Sequence, residues 1–420
     1  MLGRPGIVIL ALALVVRVAL VLATPDPHFA AHFDPSDYDL HAQSIAAGHG
    51  YPDTTPYAAG GGPTALRPPL YPYALGGLYA VVGHSITAAR LLSVLLGVLT
   101  VALIGLVGMQ LAGRRAALWA MAIAAVYPPL VLVNATLISE ALSLPLMLGA
   151  LAAALHHRTD PRRRWALLAG ALLGLGVLAR PAMGVVALPV ALALWGAPWR
   201  SWRALAAPVL AGVAAIAVLV PWTVRNYDAF DAFVPVFTQS GYLLAGTYND
   251  TSMGDPVFTA SFRPAITVPE FQPLFRDPTI GELEISRRLG ERARDYIGDH
   301  PSAIPKAMWH NGLRMALLDH ANDIGRQSYA AQGIGSGYAD LARVAFYLVV
   351  LLALASLVLA PRTRRLWWLW GTTALLFVSV IPISSDTRYR LQLEPLLVLL
   401  AGVAAAKASS AWTKRSGSSI

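Results

Sequence analysis

Ten long apolar stretches dominate this sequence, and each is close to the length that crosses a lipid bilayer as a helix. They cover residues 6–23, 87–112, 116–133, 136–155, 165–180, 182–198, 204–222, 341–360, 366–383 and 391–408. Only 13% of the 420 residues are charged, against about 25% in a soluble domain. The sequence therefore predicts an all-α polytopic membrane protein with about ten transmembrane helices, and it excludes a soluble nucleic-acid-binding protein.

The basic residues between these stretches predict the orientation of the chain in the membrane. With the N-terminus inside, 15 of the 32 Lys and Arg residues fall in the short inner loops and tails, together with a single acid, Asp160. Short cytoplasmic loops are enriched in Lys and Arg in this way. We therefore expect both termini in the cytoplasm, at a plasma (inner) membrane, with the two longest loops outside.

This topology divides the chain into three parts. Residues 1–222 form a transmembrane core that includes the first outer loop, 24–86, and residues 223–340 form a second outer loop with amphipathic helices. Residues 341–420 supply the last transmembrane helices and a short cytoplasmic tail. The first helix is expected to be retained, because its apolar stretch is too long for a signal peptide and contains Arg17.

The two amphipathic helices are predicted from the pattern of the second outer loop. Thr279 and Glu282 have the spacing of a capping box at the start of the first helix. The apolar face of this helix comprises Ile285, Leu289, Ala293 and Tyr296. The second helix is marked by Ile304, Met308, Met315 and Leu318. We expect both helices to lie along the outer membrane surface.

The residue types present limit the chemistry that this chain can perform. It contains no cysteine, which excludes disulfides, thiolate metal sites and thiol nucleophiles. It also lacks the two glycine-rich phosphate loops of nucleotide-binding proteins. Gly170 and Gly174 fit the close packing of membrane helices instead. Carboxylates, arginines and hydroxyls remain as the candidates.

Three acids follow the first apolar stretch in the segment D-P-S-D-Y-D-L-H. Asp34, Asp37 and Asp39 stand immediately outside the predicted bilayer. One interpretation is a solvated helix cap, because Asp34 before Pro35 is a typical start of a helix. The other is a partly desolvated carboxylate whose basicity is raised, which suits a general base.

Further ionisable residues recur at the outer ends of other apolar stretches. They are Arg67 in A-L-R-P-P, Glu140 in I-S-E-A, Arg180 in L-A-R-P, Arg225 in W-T-V-R-N, and Asp386, Arg388, Arg390 and Glu394 in S-D-T-R-Y-R-L-Q-L-E. An ionisable group costs about 2.5–3.5 kcal/mol at the centre of a bilayer. A single arginine at a helix end is explained by snorkelling to the interface. Recurrence at one depth on several helices predicts a shared, outward-facing cavity.

Eight short motifs occur in a fixed order between about residues 30 and 400. They are D-P-S-D-Y-D-L-H-A, R-P-P-L-Y-P, A-A-R-L-L-S-V-L-L-G, V-Y-P-P-L, L-I-S-E, A-G-A-L-L-G-L-G-V-L-A-R-P, P-W-T-V-R-N-Y and R-Y-R-L-Q-L-E-P. In this order they resemble the glycosyltransferase-C superfamily. The resemblance is to its polyprenyl-phosphate-sugar-dependent branch, which is related to protein O-mannosyltransferases and lipid A aminoarabinose transferases.

The resemblance implies a glycosyltransferase that moves a hexose or pentose from a polyprenyl-phosphate donor to an acceptor hydroxyl outside the cytoplasm, with inversion. Asp34, in the first outer loop, takes the position of the catalytic base. The expected ligands of the donor phosphate are Arg67, Arg225, Arg388 and Arg390. The other expected substrate-binding residues are Asp37, Tyr38, Glu140, Arg180 and Asp386.

The same resemblance suggests the partners of the chain. They are the lipid-linked sugar, the lipid bilayer, and an acceptor that is a glycan, a glycolipid or a protein; no nucleic acid is expected. No cofactor is expected either. A divalent cation between Asp34, Asp37 and Glu140 is the less favoured alternative.

Two other functions are compatible with about ten spans and a large outer loop. An O-antigen ligase or polymerase would act on lipid-linked glycan through an arginine and a histidine of the late loop, without the first-loop aspartate. A lipid-glycan flippase or transporter would show inverted repeats and broken helices at mid-membrane. The sequence has no clear repeat, and its ionisable residues lie at the outer edge.

Overall fold

The computed structural model describes residues 3–24, 34–52, 58–196, 201–319, 321–331, 334–361 and 364–416. Within these ranges every regular element is a helix, which confirms the predicted all-α class. Parts of the predicted first outer loop, residues 25–33 and 53–57, lie outside the described residues, as does the end of the 182–198 stretch.

Nineteen α-helices follow one another along the described chain. The first ten are α1 (Gly3–Ala23), α2 (Asp34–Ala46), α3 (Leu70–Val82), α4 (Ile86–Ala112), α5 (Arg114–Val126), α6 (Pro128–Leu132), α7 (Glu140–His157), α8 (Arg163–Ala179), α9 (Ala187–Leu194) and α10 (Ala206–Phe230). The others are α11 (Ser240–Thr247), α12 (Asp250–Met253), α13 (Gln272–Arg276), α14 (Glu282–Asp299), α15 (Ala303–Met315), α16 (Ala321–Ala331), α17 (Tyr338–Leu359), α18 (Arg364–Val380) and α19 (Glu394–Ser416).

The ten apolar stretches fall on helices, but fewer helices satisfy the requirements of a membrane span. Among the described residues, four are long and apolar enough, namely Gly3–Ala23, Ile86–Ala112, Trp202–Phe230 and Tyr338–Leu359. A fifth is obtained if α5 and the helical segment Pro128–Ala135 count as one bent span. Several of the remaining helices are short, because prolines and polar residues interrupt the apolar runs. The chain is a membrane protein, and the number of ten spans stays a prediction.

A buried arginine stabilises the bend between α5 and α6. The chain turns by 62° at this point, where Pro128 and Pro129 supply no backbone N–H to the carbonyls four residues before them. Those carbonyls belong to Ala124 and Ala125, and the guanidinium of Arg17 donates to both, at 3.2 and 2.9 Å. Arg17 therefore replaces the two helix hydrogen bonds that the prolines remove.

Glycines allow two helices of the core to pack backbone to backbone. A Cβ on Gly170 of α8 would lie 2.0 Å from the carbonyl oxygen of Ala211 in α10, and one on Gly174 would lie 2.7 Å from that of Ala215. Both distances are shorter than any real carbon contact. The prediction that these glycines serve helix packing is confirmed.

The first amphipathic helix of the second outer loop is present as α14, with two differences from the prediction. Its apolar face, which includes Ile285, Leu289 and Ala293, is buried in a cluster with α11 and the preceding loop, so this face packs on protein and not on the membrane. Glu282 is its first residue and forms no capping box, because the hydroxyl of Thr279 donates to Asp277 instead.

The second helix is present as α15. Of its predicted apolar positions, Ile304 is exposed, but Met315 is fully buried and Met308 packs against the same cluster. Leu318 is exposed and lies beyond the end of the helix. Its location at the membrane surface stays a prediction.

Candidate active site

Five segments that are distant in sequence meet at one buried group of charges. Asp34 begins α2, Glu140 begins α7, and Arg180 follows the end of α8. Arg67 lies just before α3, and Arg388 lies in the short helical turn Thr387–Gln392 that precedes α19. The predicted convergence of these residues on one site is present in the structure.

Arg67 joins the first two acids of the cluster. Its Nε and Nη2 both donate to Oδ2 of Asp37, at 3.0 and 2.5 Å. Its Nη1 forms an ion pair with Oδ1 of Asp34. All three side chains are largely buried, and Asp34 is the most accessible of them, at 19%. Arg67 is thus held between the two acids of the D-P-S-D segment.

Arg388 joins Asp34 to Glu140. Its Nη2 donates to Oδ2 of Asp34 at 2.5 Å, and its Nε donates to Oε1 of Glu140 at 2.5 Å. Arg180 forms the next ion pair, with Nη1 2.6 Å from Oε1 of Glu140. We call these six residues the charge chain, in which acids and arginines alternate: Asp37, Arg67, Asp34, Arg388, Glu140 and Arg180. Its formal charges sum to zero.

Glu140 is the buried anchor of the charge chain. It is fully buried, and it occupies the first position of α7, where the helix dipole stabilises a negative charge. A buried charge requires paired partners, and the two arginines provide them. Glu140 therefore fixes Arg388 and Arg180 relative to each other.

Arg180 is only partly used by these contacts. The residue is 94% buried, and its guanidinium carbon lies 4.7 Å from the ring centre of Tyr389. Its Nε and Nη2 are buried, and in the part of the chain that the structure describes they have no hydrogen-bond partner. Unmet donors on a buried cation are costly. This edge of Arg180 can therefore donate two further hydrogen bonds.

The basicity of Asp34 differs from the expectation. Burial raises the pKa of this carboxyl, but the positive charges of Arg388 and Arg67 lower it by more. The pKa of Asp34 is therefore held well below its ordinary value, whereas the sequence predicted raised basicity. The physical reason is that both carboxylate oxygens are bound by guanidinium groups from distant parts of the chain.

Tyr38 and Asp386 lie next to the charge chain. Tyr38 is buried edge-on against Tyr71, with ring centres 5.1 Å apart, and burial together with the charge of Asp34 raises its pKa to about 12. Asp386 accepts hydrogen bonds from the backbone N–H of Arg388 at 2.9 Å and from Ser328 Oγ at 2.8 Å. In this structure Asp386 holds the turn that carries Arg388.

Two predicted phosphate ligands, Arg225 and Arg390, have their contacts outside the charge chain. Arg225 donates to the carbonyl of Thr64 at 2.9 Å. Arg390 donates to Glu394 and to the carbonyl of Met315, both at 2.6 Å. Their role in phosphate binding stays a prediction, and the structure places each of them in a separate, internal set of contacts.

One neighbour of the site was not singled out from the sequence. His41 lies one helical turn after Asp37, whose carbonyl oxygen is 2.6 Å from His41 Nδ1. Its Nε2 is buried and, among the described residues, has no hydrogen-bond partner. Burial lowers the pKa of this imidazole. The four-residue spacing from Asp37 to His41 is the only sequence signal for this placement.

The three carboxylates do not fit a shared divalent cation. Arg67 bridges Asp34 and Asp37, and Arg388 bridges Asp34 and Glu140, so a guanidinium takes the place of a cation in two of the three pairs. Among the described residues, no group of three or more His, Asp or Glu side chains has the arrangement of a metal site.

Comparison with known families gives one match. Residues 66–224 match the family described as dolichyl-phosphate-mannose-protein mannosyltransferase. This segment contains Arg67, Glu140 and Arg180 of the charge chain and covers less than half of the protein. No curated protein sequence matches the chain at a significant level.

The fold is shared with a solved oligosaccharyltransferase. The oligosaccharyltransferase from Archaeoglobus fulgidus, in its apo form, superposes with a TM-score of 0.56 at 15% identity, over 95% of this chain and 50% of that one. The same organism's AglB, in complex with an inhibitory peptide and a dolichol-phosphate, gives 0.54 at 14% identity over the same shares. ArnT from Cupriavidus metallidurans, bound to undecaprenyl phosphate, has a TM-score of 0.45 at 19% identity. That alignment covers 97% of this chain and 79% of ArnT.

The family match agrees with the predicted resemblance over residues 66–224, and the oligosaccharyltransferase structures show a shared fold. The chain spans about half the length of the oligosaccharyltransferase that it resembles.

Proposed function

We propose that this protein is an integral-membrane glycosyltransferase. It transfers a sugar from a polyprenyl-phosphate donor to an acceptor hydroxyl with inversion, and Asp34 is the general base. The acceptor is a glycan, a glycolipid or a protein. The family match and the shared fold support the class of reaction, and the dolichol-phosphate named for AglB supports a lipid-phosphate ligand.

The observation that carries the proposal is the position of Asp34 between two arginines. A general base for glycosyl transfer needs a carboxylate beside a binding site for the departing phosphate. Asp34 is partly accessible, and it contacts Arg67 and Arg388, the two cations of the charge chain that flank it. One group of residues therefore offers both the base and the cations that stabilise the leaving group.

The donor phosphate is proposed to bind at Arg180 and Arg388. Arg180 has two unused N–H donors, Nε and Nη2, in the geometry that binds two phosphate oxygens at once. Glu140 holds Arg388 beside it. A bound phosphate competes with Asp34 for Arg388, so donor binding weakens the ion pair that keeps the pKa of Asp34 low. Asp34 thus becomes a stronger base when the donor is present.

The proposed reaction is a single displacement at the anomeric carbon. Asp34 accepts the proton of the acceptor hydroxyl while that oxygen forms a bond to the anomeric carbon. The bond from this carbon to the phosphate oxygen breaks, and its electron pair leaves with the polyprenyl phosphate. The arginines neutralise the charge that develops on that oxygen. Attack from the face opposite the leaving group inverts the anomeric configuration.

The site is proposed to face away from the cytoplasm. The distribution of basic residues places the first and second outer loops on that side, with both termini in the cytoplasm and about ten spans between them. An outward-facing site has no access to cytoplasmic nucleotide sugars. A lipid-linked donor, which is delivered within the membrane, suits this location.

The function is tested with purified protein, an Asp34→Asn variant and an Asp39→Asn control. Asp39 lies on the same helix, but it binds Tyr79 and Gln43 instead of the charge chain. Each protein is incubated with short-chain polyprenyl-phosphate sugars and membrane-derived acceptors, with EDTA in half of the reactions, and sugar transfer is counted. We expect transfer by the wild type and by Asp39→Asn, with or without EDTA, and none by Asp34→Asn.

Other outcomes would replace the proposal. If Asp34→Asn transfers sugar as fast as the wild type, Asp34 is not the base. If the wild type leaves every lipid-phosphate sugar intact but joins preassembled lipid-linked glycan to an acceptor, the protein is a ligase or polymerase. Movement of such a glycan across the membrane without transfer would identify a flippase.

A further inference from the structure

Four backbone groups of the segment that carries Arg67 are held by residues from elsewhere in the chain. The N–H of Ala65 donates to Glu282 Oε1 at 2.9 Å, and the carbonyl of Ala65 accepts from the N–H of Thr238 at 3.1 Å. Thr64 supplies its own hydroxyl to the N–H of Leu66 at 3.1 Å. No hydrogen bond of a regular helix or sheet is involved, so these contacts define the path of the segment.

Two side chains complete this set of contacts. Arg225, near the end of α10, donates to the carbonyl of Thr64 at 2.9 Å. Its guanidinium lies 4.9 and 5.5 Å from the ring centres of Trp222 and Tyr51. The hydroxyl of Tyr51 in turn donates to the carbonyl of Arg67 at 2.5 Å. The peptide groups on both sides of Ala65, and the one after Arg67, are therefore held in place next to the charge chain.

Glu282 is the centre of this arrangement. It lies 217 positions after Ala65 in the sequence, and it is 99% buried at the first turn of α14. Its carboxylate accepts from the Thr64 hydroxyl at 2.5 Å and also from the Thr238 hydroxyl. Burial raises its pKa, and these donors together with Arg225 partly offset that rise. A carboxylate this deeply buried is retained here by three donors, of which two belong to the segment of Arg67.

We infer that Glu282 is a positioning residue for Arg67, and that through it the second outer loop sets the geometry of the charge chain. The inference rests on the proposed function for its catalytic consequence. Arg67 touches Asp34 and Asp37 directly, whereas Glu282 touches neither. Loss of the Glu282 carboxylate frees the N–H of Ala65 and the hydroxyl of Thr64, and Arg67 then loses its fixed distance to Asp34.

Arg225 has a structural role in the same set of contacts. Arg225 holds the Thr64 carbonyl, while Glu282 holds the Thr64 hydroxyl. The two charged residues thus fix one peptide segment from two elements, the end of α10 and the start of α14.

The test is a double-mutant cycle between Glu282→Ala and Arg67→Gln, with Glu282→Gln as the conservative variant. Glu284→Ala is the matched control, because Glu284 lies on the same helix but binds only Arg287 and Arg288. We expect Glu282→Ala to lower kcat/KM for the donor by about 10- to 100-fold, as a displacement of about 1 Å in an active site does. In the Arg67→Gln background, Glu282→Ala should lower kcat/KM by less than about twofold. Glu282→Gln should recover part of the loss.

A pH profile separates positioning from general destabilisation. Release of Arg67 removes a positive charge from Asp34, whose other charged neighbours are Arg388 and Arg180. The acid limb of kcat/KM should therefore move to higher pH in Glu282→Ala, toward that of Arg67→Gln, and stay in place in Glu284→Ala. An unmoved limb, or fully additive losses in the cycle, would overturn the inference.

The inference can fail independently of the proposed function. If the wild type transfers no sugar, the same cycle is measured on the melting temperature of the ligand-free protein and on the Kd for polyprenyl monophosphate. Coupling between Glu282 and Arg67 in either quantity supports the positioning role while the function is rejected. Additivity in both would overturn it.

Discussion

The Nη2 atom of Arg388 lies 2.5 Å from Oδ2 of Asp34, although the two residues are 354 positions apart in the sequence. This contact joins the start of the first outer loop to the turn that enters the last helix. The site therefore forms only when distant parts of the chain have folded together, since one partner lies near the N-terminal end and the other near the C-terminal end. The contact also lowers the pKa of the proposed base, so a ligand that removes Arg388 from Asp34 controls the chemistry.

Arg388 is expected to be essential for transfer. Arg388→Gln leaves Asp34 and Glu140 without a shared cation and removes stabilisation of the leaving phosphate. We expect kcat to fall by about 10²- to 10³-fold, the usual cost of losing one preorganised donor to a developing negative charge. Steady-state transfer kinetics measure this, with Arg287→Gln on the exposed face of α14 as the control. An Arg388→Gln enzyme with normal kcat would exclude Arg388 from the site.

Arg180 is expected to contribute to donor affinity more than to folding. Arg180→Lys keeps a positive charge near Glu140 but loses the planar pair of donors. We expect the Kd for a short-chain polyprenyl monophosphate to rise about tenfold, with little change in the melting temperature. Binding can be followed by calorimetry or by native mass spectrometry. Unchanged binding would place the phosphate elsewhere, and Arg390 would then be the next candidate.

Asp34 should make the stability of the protein depend on pH in the acidic range. Its folded-state pKa lies below the ordinary value of 3.8, so its ion pairs contribute stability above about pH 4, and this contribution is lost as the pH falls through the folded pKa. The difference in melting temperature between wild type and Asp34→Asn should be constant near neutral pH and shrink below about pH 4. A difference that grows on acidification would mean that Asp34 is not held ionised.

Arg17 is expected to stabilise the fold by donating hydrogen bonds at the bend between α5 and α6. Arg17→Leu leaves the carbonyls of Ala124 and Ala125 without donors inside the membrane core, which should lower the free energy of unfolding by about 2–4 kcal/mol. Replacing Pro128 and Pro129 by alanine restores two backbone N–H groups. In that background, Arg17→Leu should therefore lower the free energy of unfolding by a smaller amount. Unfolding in mixed micelles measures both, and an equal cost in the two backgrounds would contradict this explanation.

The candidate site was largely predictable because of where its ionisable residues stand. Glu140, Arg180 and Arg388 lie at the ends of apolar stretches, and their recurrence at one depth is informative where a single such charge is not. Asp34 follows the first of these stretches in the D-P-S-D segment. The pairing was not predictable, since the contact between Arg388 and Asp34 depends on how distant helices pack. For this reason the sign of the pKa shift of Asp34 was wrong, although the residue was identified.

The second outer loop shows a different limit of sequence analysis. The spacing of Thr279 and Glu282 is that of a capping box, but Glu282 binds Thr64, Ala65 and Thr238 instead. The same sequence pattern fits a capping box and the observed contacts. Only tertiary packing decides which N–H and O–H groups donate to the Glu282 carboxylate. The amphipathic period of α14 was recognised, whereas the protein surface that covers its apolar face was not.

The bend at Pro128 has a consequence for how the protein is made. A chain is synthesised from its N-terminus, so α1 enters the membrane while the segment that will satisfy Arg17 has not yet been translated. Until the segment around residue 130, whose carbonyl also accepts from this guanidinium, has left the ribosome, Arg17 lacks most of its hydrogen-bond acceptors, which is costly in lipid. Insertion of α1 is therefore provisional, and its final position is reached only when α5 and α6 arrive beside it.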